Sequence, residues 1–429
     1  MKRRKVTALA LALCCGAAAA GEDYGHDHPG FHGYFRIGAG AGSAHGPMSC
    51  YGLGGNTMKY RLGNECDSYA EFGYTHEMPK TEDGVTFAGT IWVNAFAPNS
   101  SFSGPGSEVK LAKAYVEAKG LGFLNGGVAW MGKRFYIRPD IHMLDLQYIH
   151  LNGTGAGVDQ VKLGPGHLSY AVFKDNDRNT FDPATGARTG TAAAIRQNLL
   201  YQDLPVNQNG TIDAVGTWIT AQGGAATHNG WQLLVMHKQD KLFGEGNNIF
   251  GVQYGVGPGT GRGAPLTGED SAGGDTMGKS GSTLLGSDAK RMRVFDALWS
   301  QLTRNFGVQA VVLVQRDKSD AGGTTTWTTL GVRPVYAFSR YFKLQAELGT
   351  DRVTSATGGP AARLTKLTIA PTLSRGPGVW DRPELRAFVT YGRWNNAATA
   401  LVNAANNSGP VYNNGTSGTT VGFQVESWW

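Results

Sequence analysis

The segment Trp130–His150, WMGKRFYIRPDIHMLDLQYIH, decides how the rest of the chain is interpreted. Its first residues have the two-residue period of a strand, with Trp130, Gly132, Arg134 and Tyr136 on one face and Met131, Lys133, Phe135 and Ile137 on the other. Pro139 ends that strand, because proline lacks a ladder donor and favours an extended or turn conformation before it. The residues that follow mix bulky apolar side chains with Arg138, Asp140, His142 and Asp145. This mixture suits neither a solvated loop nor a dry core, so we expect the segment to fold into the lumen of a wide β-barrel; a polar surface loop is the alternative.

The N-terminus, MKRRKVTALALALCCGAAAAGED, has the pattern of a secretory signal peptide. Four basic residues precede a short apolar run, and Ala18, Ala19 and Ala20 offer a small-residue cleavage site. The run is shorter than the roughly 20 residues of a membrane helix. We therefore expect residues 1–20 to be a cleaved signal peptide and residues 21–429 to form a single domain.

Most of the net positive charge belongs to that leader. The full chain has 39 basic and 33 acidic residues, or +6, whereas residues 21–429 have 35 basic against 33 acidic residues, or +2. This small surplus gives no reason to expect a nucleic-acid partner. No nucleophile–base arrangement and no phosphate-cradling glycine loop stands out, so we expect neither an enzyme nor a cofactor.

Two-residue alternation recurs along the remaining chain, and no helical period of any length stands out. Within Tyr341–Thr350, apolar residues on one face oppose Lys343, Gln345 and Glu347 on the other. Similar patterns occur in Ala112–Lys119, Phe306–Val314 and Leu385–Tyr391. Strands with one apolar and one polar face fit a transmembrane antiparallel β-barrel with a wet interior.

The connections between these strands alternate in length. Tight turns are expected at Asn125-Gly126, Arg304-Asn305 and Ser339-Arg340. Long stretches rich in Gly, Ser, Thr and Asn cover Gly255–Asp288, Asn395–Gly418 and Asp175–Thr211. Short turns at one end and long loops at the other are typical of an outer-membrane barrel.

Cys50 and Cys66 are the two cysteines outside the leader. Export to an oxidising compartment favours a disulfide between them, with a pair of free thiols as the alternative. A disulfide that closes a loop of about 15 residues contributes roughly 3 kcal/mol to the free energy of unfolding. His26, His28 and His32 are loosely spaced and lack a nearby cysteine, so we expect no metal site.

Aromatic and charged residues recur two positions apart, as in Tyr34 with Arg36 and Tyr69 with Glu71. A neutral sugar presents patches of C–H on its ring and hydroxyls at its edge. A sugar pore therefore needs an aromatic track and, opposite it, charged donors and acceptors. Ordinary lumen polarity is the alternative for each pair. In the last strand Trp428 shares a face with Glu426, where either a bore-lining or a buried packing tryptophan is expected.

Six motifs, in order along nearly the whole chain, resemble the maltoporin family: FHGYFRIGAG (31–40), KYRLGNECDSYAEFGY (59–74), GKRFYIRPDIHMLD (132–145), GVRPVYAF (331–338), VWDRPELRAFVTYGRW (379–394) and the terminal Trp428-Trp429. The resemblance implies a trimeric outer-membrane barrel of about 18 strands that passes maltose and maltodextrins. Its third loop would fold into the lumen as the constriction.

The resemblance also assigns residues. It implies a sugar slide of aromatic side chains at Tyr34, Tyr69, Trp380 and Trp428, with Phe102 of the second loop reaching into a neighbouring subunit. It implies a polar track and constriction at Arg36, Arg61, Glu71, Arg138, Asp140 and Asp145. The disulfide of the family falls on Cys50 and Cys66.

The chain departs from the family at several of these positions. Gln147 stands where the family has a constriction tyrosine, and His150 where it has an aspartate. Asn247 replaces the last aromatic of the slide, with Phe243 close enough to substitute. A track arginine is missing near Ala112, with Lys110 and Lys113 nearby. Such changes are expected to widen the throat or alter sugar choice, as in the related sucrose porins.

We therefore expect a channel for facilitated diffusion of maltose and maltodextrins in the outer membrane of a Gram-negative bacterium. We expect it to be a homotrimer surrounded by outer-membrane lipid, and phage is a further candidate partner. One alternative is a porin for other oligosaccharides, such as sucrose, or one with little selectivity. A second alternative is a surface receptor or adhesin barrel with a closed lumen. A secreted glycan-acting enzyme is the weakest alternative, because no paired catalytic carboxylates stand out.

Overall fold

The computed structural model describes residues 27–44, 46–53, 60–175, 193–224, 226–263, 276–405 and 410–429, together with the backbone of residues 179–181 and 188–191. The expected signal peptide, residues 1–20, and His26 lie outside the described residues.

Within the part of the chain that the structure describes, eighteen long antiparallel strands form one closed sheet, which confirms the predicted barrel. Each strand pairs with the next along the chain, and β1 pairs with β18 to close the ring, with Tyr34 opposite Trp428 and Arg36 opposite Glu426. The first nine strands are β1 (Gly30–Gly42), β2 (Ser68–Glu77), β3 (Thr86–Ala97), β4 (Glu108–Lys119), β5 (Val128–Arg134), β6 (Gly153–Leu163), β7 (Gly166–Asp175), β8 (Ala193–Asn207) and β9 (Gly210–Gln222). The other nine are β10 (Gly230–Asp240), β11 (Glu245–Val256), β12 (Lys290–Thr303), β13 (Phe306–Ser319), β14 (Gly323–Ala337), β15 (Phe342–Val353), β16 (Ala362–Ser374), β17 (Glu384–Trp394) and β18 (Ser417–Trp428).

The remaining elements are short. Gly46–Pro47 extends the ladder of β1, and two further two-stranded pairs join Asp140–Ile141 to Leu146–Gln147 and Asn179–Phe181 to Arg188–Thr191. In the described residues, the helical elements are α1 (Thr399–Ala404) and 3₁₀ turns at Gly122–Leu124, His142–Leu144, Gly257–Thr260 and Asn396–Ala398. Among the residues with described positions, no helix is long and apolar enough to cross a bilayer.

The outer face of the barrel is apolar and the inner face is polar. In β15 the inward residues Lys343, Gln345 and Glu347 are buried, whereas Leu348 on the outer face is 47% exposed. The same division separates inward Gln315 from outward Val314 in β13. The alternation in the sequence therefore corresponds to a hydrocarbon-facing surface outside and a lined bore inside.

The predicted sorting of connections by length is confirmed in most places. The three predicted tight turns lie between β4 and β5, β12 and β13, and β14 and β15, whereas residues 257–289 and 395–416 form long connections at the opposite end. The prediction of a long loop over Asp175–Thr211 is wrong, because this stretch contains β8 and the turn that follows it. The inward residues of β8 include Arg196, Asn198 and Gln202, and such polar residues are also typical of loops.

The connection between β5 and β6, residues 135–152, folds into the bore as predicted and is called the third loop below. The carbonyl oxygen of Tyr148 accepts hydrogen bonds from Gln253 Nε2 at 2.7 Å and Arg293 Nη1 at 3.1 Å. Arg196 donates to the carbonyl oxygens of Leu151 and Asn152 at 3.3 and 2.7 Å. Apolar side chains of the loop pack in one cluster with inward residues of the wall, including Phe295 and Leu313. These bonds exclude the surface-loop alternative.

The apolar outer face leads to a stability prediction for Leu330, which is the central residue of β14 and is 58% exposed. Leu330→Arg would place a guanidinium in hydrocarbon, so we expect the free energy of unfolding to fall by about 2–4 kcal/mol. Urea titration of the barrel in lipid vesicles measures this change. The matched control is Leu302→Arg near the end of β12, where about 0–1 kcal/mol is expected. Equal losses in both variants would contradict the position of Leu330 in the hydrocarbon band.

Candidate functional site

Three aromatic side chains of the closing seam lie side by side on the inner face. The rings of Tyr69 and Tyr34 have centroids 6.0 Å apart, and those of Tyr34 and Trp428 are 6.4 Å apart and stacked at 18°. Their strands β2, β1 and β18 are consecutive around the barrel. Tyr34 lies directly opposite Trp428, whereas Tyr69 lies opposite Arg36 and is thus diagonal to Tyr34. Each ring is half-buried and thus presents surface to the bore. Trp429 points to the outer face instead and is 41% exposed.

Further rings extend this row across the bore. Trp380 enters from the connection between β16 and β17, and its centroid lies 5.9 Å from that of Trp299 on β12. The His142 ring of the third loop lies 5.1 Å from Trp380 and 6.4 Å from Trp428. The result is an aromatic row that runs Tyr69, Tyr34, Trp428, His142, Trp380, Trp299.

Trp299 belongs to the row but was not predicted from the sequence. It pairs directly with Asn247 in the β11–β12 ladder, so its indole lies beside the position where the last slide aromatic was expected. Phe243 does not take that place, since it lies in the turn before β11 and is 71% exposed. The stretch Asp296–Leu302 mixes apolar residues on both faces, which hid the inward position of Trp299.

Arg36 is held by three carboxylates at the side of this row. Its guanidinium contacts Asp67 at 2.5 Å, Glu65 at 3.1 Å and Asp145 of the third loop at 3.3 Å. Arg36, Glu65 and Asp67 are buried, whereas the side chain of Asp145 is 25% exposed. Asp145 is thus the member of this group that a solute in the bore can reach.

Arg61 links the aromatic row to the third loop. It lies 2.9 Å from Glu65 and 3.1 Å from Glu426, and it donates a hydrogen bond to Tyr34 Oη at 2.7 Å. Its Nη1 also lies 3.2 Å from His142 Nδ1. Burial, reinforced by the charge of Arg61, lowers the pKa of His142 well below its ordinary value. A neutral imidazole can accept this hydrogen bond at Nδ1.

The other predicted track residues lie on the third loop or face it. Arg138 donates to Glu71 at 3.1 Å, and Glu71 accepts a second bond from Tyr69 Oη at 2.7 Å. Asp140 and Gln147 are opposite each other in the short hairpin of the loop. Asp140 is exposed to the bore and Gln147 is half-buried. The structure therefore brings together the predicted residues Arg36, Arg61, Glu71, Arg138 and Asp145, and it adds Glu65, Asp67 and Glu426, which sequence reasoning missed.

Two predicted site residues lie elsewhere. His150 was expected in the track, but it is only 3% exposed and its backbone N–H donates to Met277 O at 2.9 Å, so it does not line the bore. Phe102 lies in the second loop, where it borders an outer cleft of about 410 Å³ with Ala70, Ala95 and Val109. It does not join the aromatic row of its own chain.

The disulfide between Cys50 and Cys66 is confirmed, with Cα atoms 5.9 Å apart. It closes the first long loop, which carries Arg61 and Glu65 into the bore. The cross-link therefore fixes the segment that supplies the central arginine of the site. Within the described part of the chain, no group of three His, Cys, Asp or Glu side chains could hold a metal ion.

Residues 30–429 match the family described as LamB porin. The chain belongs to the LamB porin family. This result confirms the resemblance seen in the motifs. With its closed barrel, this porin is an outer-membrane channel of Gram-negative bacteria for sugar or general diffusion, and both family and fold are typical of channels that are not enzymes.

Among solved structures, this porin is similar to several barrels at low sequence identity. The OccD3 (OpdP) structure of Pseudomonas aeruginosa matches with 9% identity and a TM-score of 0.47, covering 96% of this chain and 93% of that one. OccAB1 of Acinetobacter baumannii matches with 12% identity and a TM-score of 0.46, covering 95% and 99%. The anion-selective porin of Comamonas acidovorans matches with 13% identity and a TM-score of 0.43, covering 92% and 98%.

Burial of His150 predicts an acid sensitivity. Burial lowers its pKa well below the ordinary value, whereas the unfolded chain takes up a proton near pH 6.5. The unfolded state then binds more protons, so stability is lost as the pH falls below about 6.5, by up to about 1.4 kcal/mol per pH unit. We expect His150→Asn to lose less stability than the wild type between pH 7.5 and pH 5, as measured by urea midpoints. Equal losses would contradict a neutral His150.

Proposed function

We propose that this porin mediates facilitated diffusion of maltose and maltodextrins along the aromatic row. The observation that carries the proposal is the continuity of the row, whose neighbouring ring centroids are 5.1 to 6.4 Å apart from Tyr69 to Trp299. Pyranose rings have apolar C–H faces that pack on aromatic rings, so successive sugar units can move from one ring to the next. Contacts that are weak and repeated allow both entry and release.

The charged groups beside the row would bind the hydroxyls. Arg36, Arg61 and Asp145 form a connected group next to Tyr34, and Arg138 with Glu71 lies next to Tyr69. Hydrogen bonds to ionised groups are stronger than those between neutral groups. A hydroxyl that enters can replace a bond within the network, so the net free energy of each exchange stays small. In this proposal, Asp140 and Gln147 line the third-loop side of the same path.

The proposal includes a homotrimer. Phe102 lies on the outer side of the barrel, beside Val109, which is 75% exposed. An aromatic residue in this position is available to a neighbouring subunit but not to its own bore. In a trimer, Phe102 would extend the sugar slide of the neighbour, as the family resemblance implies.

Trp380 provides the first test, in planar lipid bilayers with maltohexaose as the blocking sugar. The wild type should conduct ions, and maltohexaose should block the current at a saturable concentration. Trp380→Ala removes the ring between His142 and Trp299, so we expect the half-blocking concentration to rise about tenfold, equivalent to about 1.4 kcal/mol, with little change in ion conductance.

The matched control is Trp429→Ala, which removes a tryptophan from the outer face and should leave the block unchanged. Current that maltohexaose does not block would favour a general porin. Absence of current would favour the receptor or adhesin alternative. Equal loss of block and conductance in Trp380→Ala would indicate a structural role for this residue.

A porin for other oligosaccharides is the second candidate, and Gln147 favours it. Gln147 is half-buried opposite Asp140 in the hairpin that narrows the bore, where the family has a larger aromatic residue. A smaller side chain at this position leaves more room for branched or compact sugars.

We expect Gln147→Tyr to narrow this passage. Swelling of proteoliposomes in sucrose should slow severalfold more than swelling in maltose. The control is Gln208→Tyr in the exposed turn between β8 and β9, which should leave the ratio of the two rates unchanged. If Gln147→Tyr also leaves the ratio unchanged, this residue does not select among sugars.

A further inference from the structure

Asp27 lies three residues before β1, and its carboxylate occupies a polar site inside the barrel. Its carboxylate accepts hydrogen bonds from Lys113 Nζ at 2.5 Å and from Tyr115 Oη at 2.8 Å. Lys113 and Tyr115 are inward residues of β4 and are 7% and 4% exposed. One carboxylate is therefore bound by two buried donors.

The ammonium group of Lys113 is fixed by aromatic rings. It lies 3.9 Å from the ring centroid of Trp92 and 5.4 Å from that of Phe135, the first residue of the third loop. Arg138 lies 3.8 Å from the same Phe135 ring. Cation–π contacts orient both charges without neutralising them. Lys113 thus lies next to the third loop, at the height where this loop narrows the bore.

The acid that pairs with Lys113 differs from those that pair with nearby arginines. Arg36 and Arg61 pair with acids of the disulfide-closed first loop, the third loop and β18, and Arg138 pairs with Glu71 of β2. Each of these elements is fixed to the barrel at both ends. Asp27 precedes the first strand and belongs to no ladder. Its carboxylate can leave Lys113 without breaking any strand pairing.

We propose that Lys113 and Tyr115, with Trp92 beneath the ammonium, form a binding site for the carboxylate of an acidic sugar unit, such as a uronate. Asp27 is the built-in competitor that fills this site. A uronate presents the same chemical group as Asp27 on a pyranose ring, which the nearby aromatic rings of the bore can contact. The proposal extends the solutes of the channel beyond the neutral sugars of the proposed function.

The covalent link makes Asp27 an effective competitor. A group tethered by a short chain has an effective concentration in the millimolar range. An acidic sugar that binds Lys113 as tightly as Asp27 does must therefore exceed this concentration before it displaces Asp27. A sugar with higher affinity displaces Asp27 at a proportionally lower concentration. Removing the carboxylate of Asp27 should unmask the site, whereas the binding of neutral sugars should not change.

The test compares wild type and Asp27→Asn in planar bilayers, with digalacturonate and maltohexaose as separate blocking sugars. We expect Asp27→Asn to lower the half-blocking concentration of digalacturonate about tenfold, to shift the reversal potential towards anion selectivity, and to leave block by maltohexaose within twofold of wild type. Lys113→Met added to Asp27→Asn should cancel the gain for digalacturonate. The control Asp83→Asn, in an exposed turn, should change neither sugar's block.

Heat-modifiable migration in gels shows that each variant forms the barrel. Unaltered block by digalacturonate in Asp27→Asn would overturn the proposal. An equal gain for both sugars, or a gain that survives Lys113→Met, would also overturn it. A channel that maltohexaose never blocks would contradict the proposed function alone, because the digalacturonate gain is measured independently.

Discussion

A strand that crosses hydrocarbon must find a hydrogen-bond partner along both edges, because no water is present to satisfy its backbone. In this porin the last such requirement is met by the pairing of β1 with β18. That ladder sets Tyr34 against Trp428 and Arg36 against Glu426. The same register that closes the barrel therefore aligns ring with ring and arginine with carboxylate. Much of the candidate site is assembled at this seam, from residues at opposite ends of the chain.

Closure alone leaves a wide bore, since barrels of 16–18 strands enclose an aqueous channel. The third loop narrows it, but a loop inside the bore brings backbone carbonyl groups that need donors. Arg196, Gln253 and Arg293 supply donors from β8, β11 and β12. On β8, Arg196 together with Asn198 and Gln202 made the strand resemble a loop in the sequence. Arg196, one of the residues that obscured the strand, also holds the end of the constriction in place.

Local chemistry made much of the fold predictable. Two-residue alternation predicted the strands, turn residues predicted the short connections, and the mixed segment after Pro139 predicted an inward loop. The motifs also predicted residues that meet in the bore, such as Tyr34, Arg61 and Asp145.

Contacts that depend on how distant strands are aligned across the barrel could not be predicted from these local patterns. Trp299 meets Trp380 only because β12 and the β16–β17 connection approach each other inside the bore. His150 looked like a polar lining residue, but the loop before β12 covers it. The β3–β4 ladder contains a bulge at Ala112, which shifts the positions that face inward on its two sides. Neither spacing nor composition reveals such a shift.

The charges beside the aromatic row are dense, and they are paired. Ion pairs join the cations Arg36, Arg61, Lys343, Arg382 and Arg386 to the acids Glu65, Asp67, Asp145, Glu384 and Glu426. Paired ionised groups retain their strength as hydrogen-bond partners at short range, while their fields cancel at longer range. Such a wall can hydrogen-bond hydroxyl groups without concentrating ions of one sign. Because each group already has partners, a passing hydroxyl exchanges bonds rather than adding them, and this keeps a neutral solute from being held too tightly to leave.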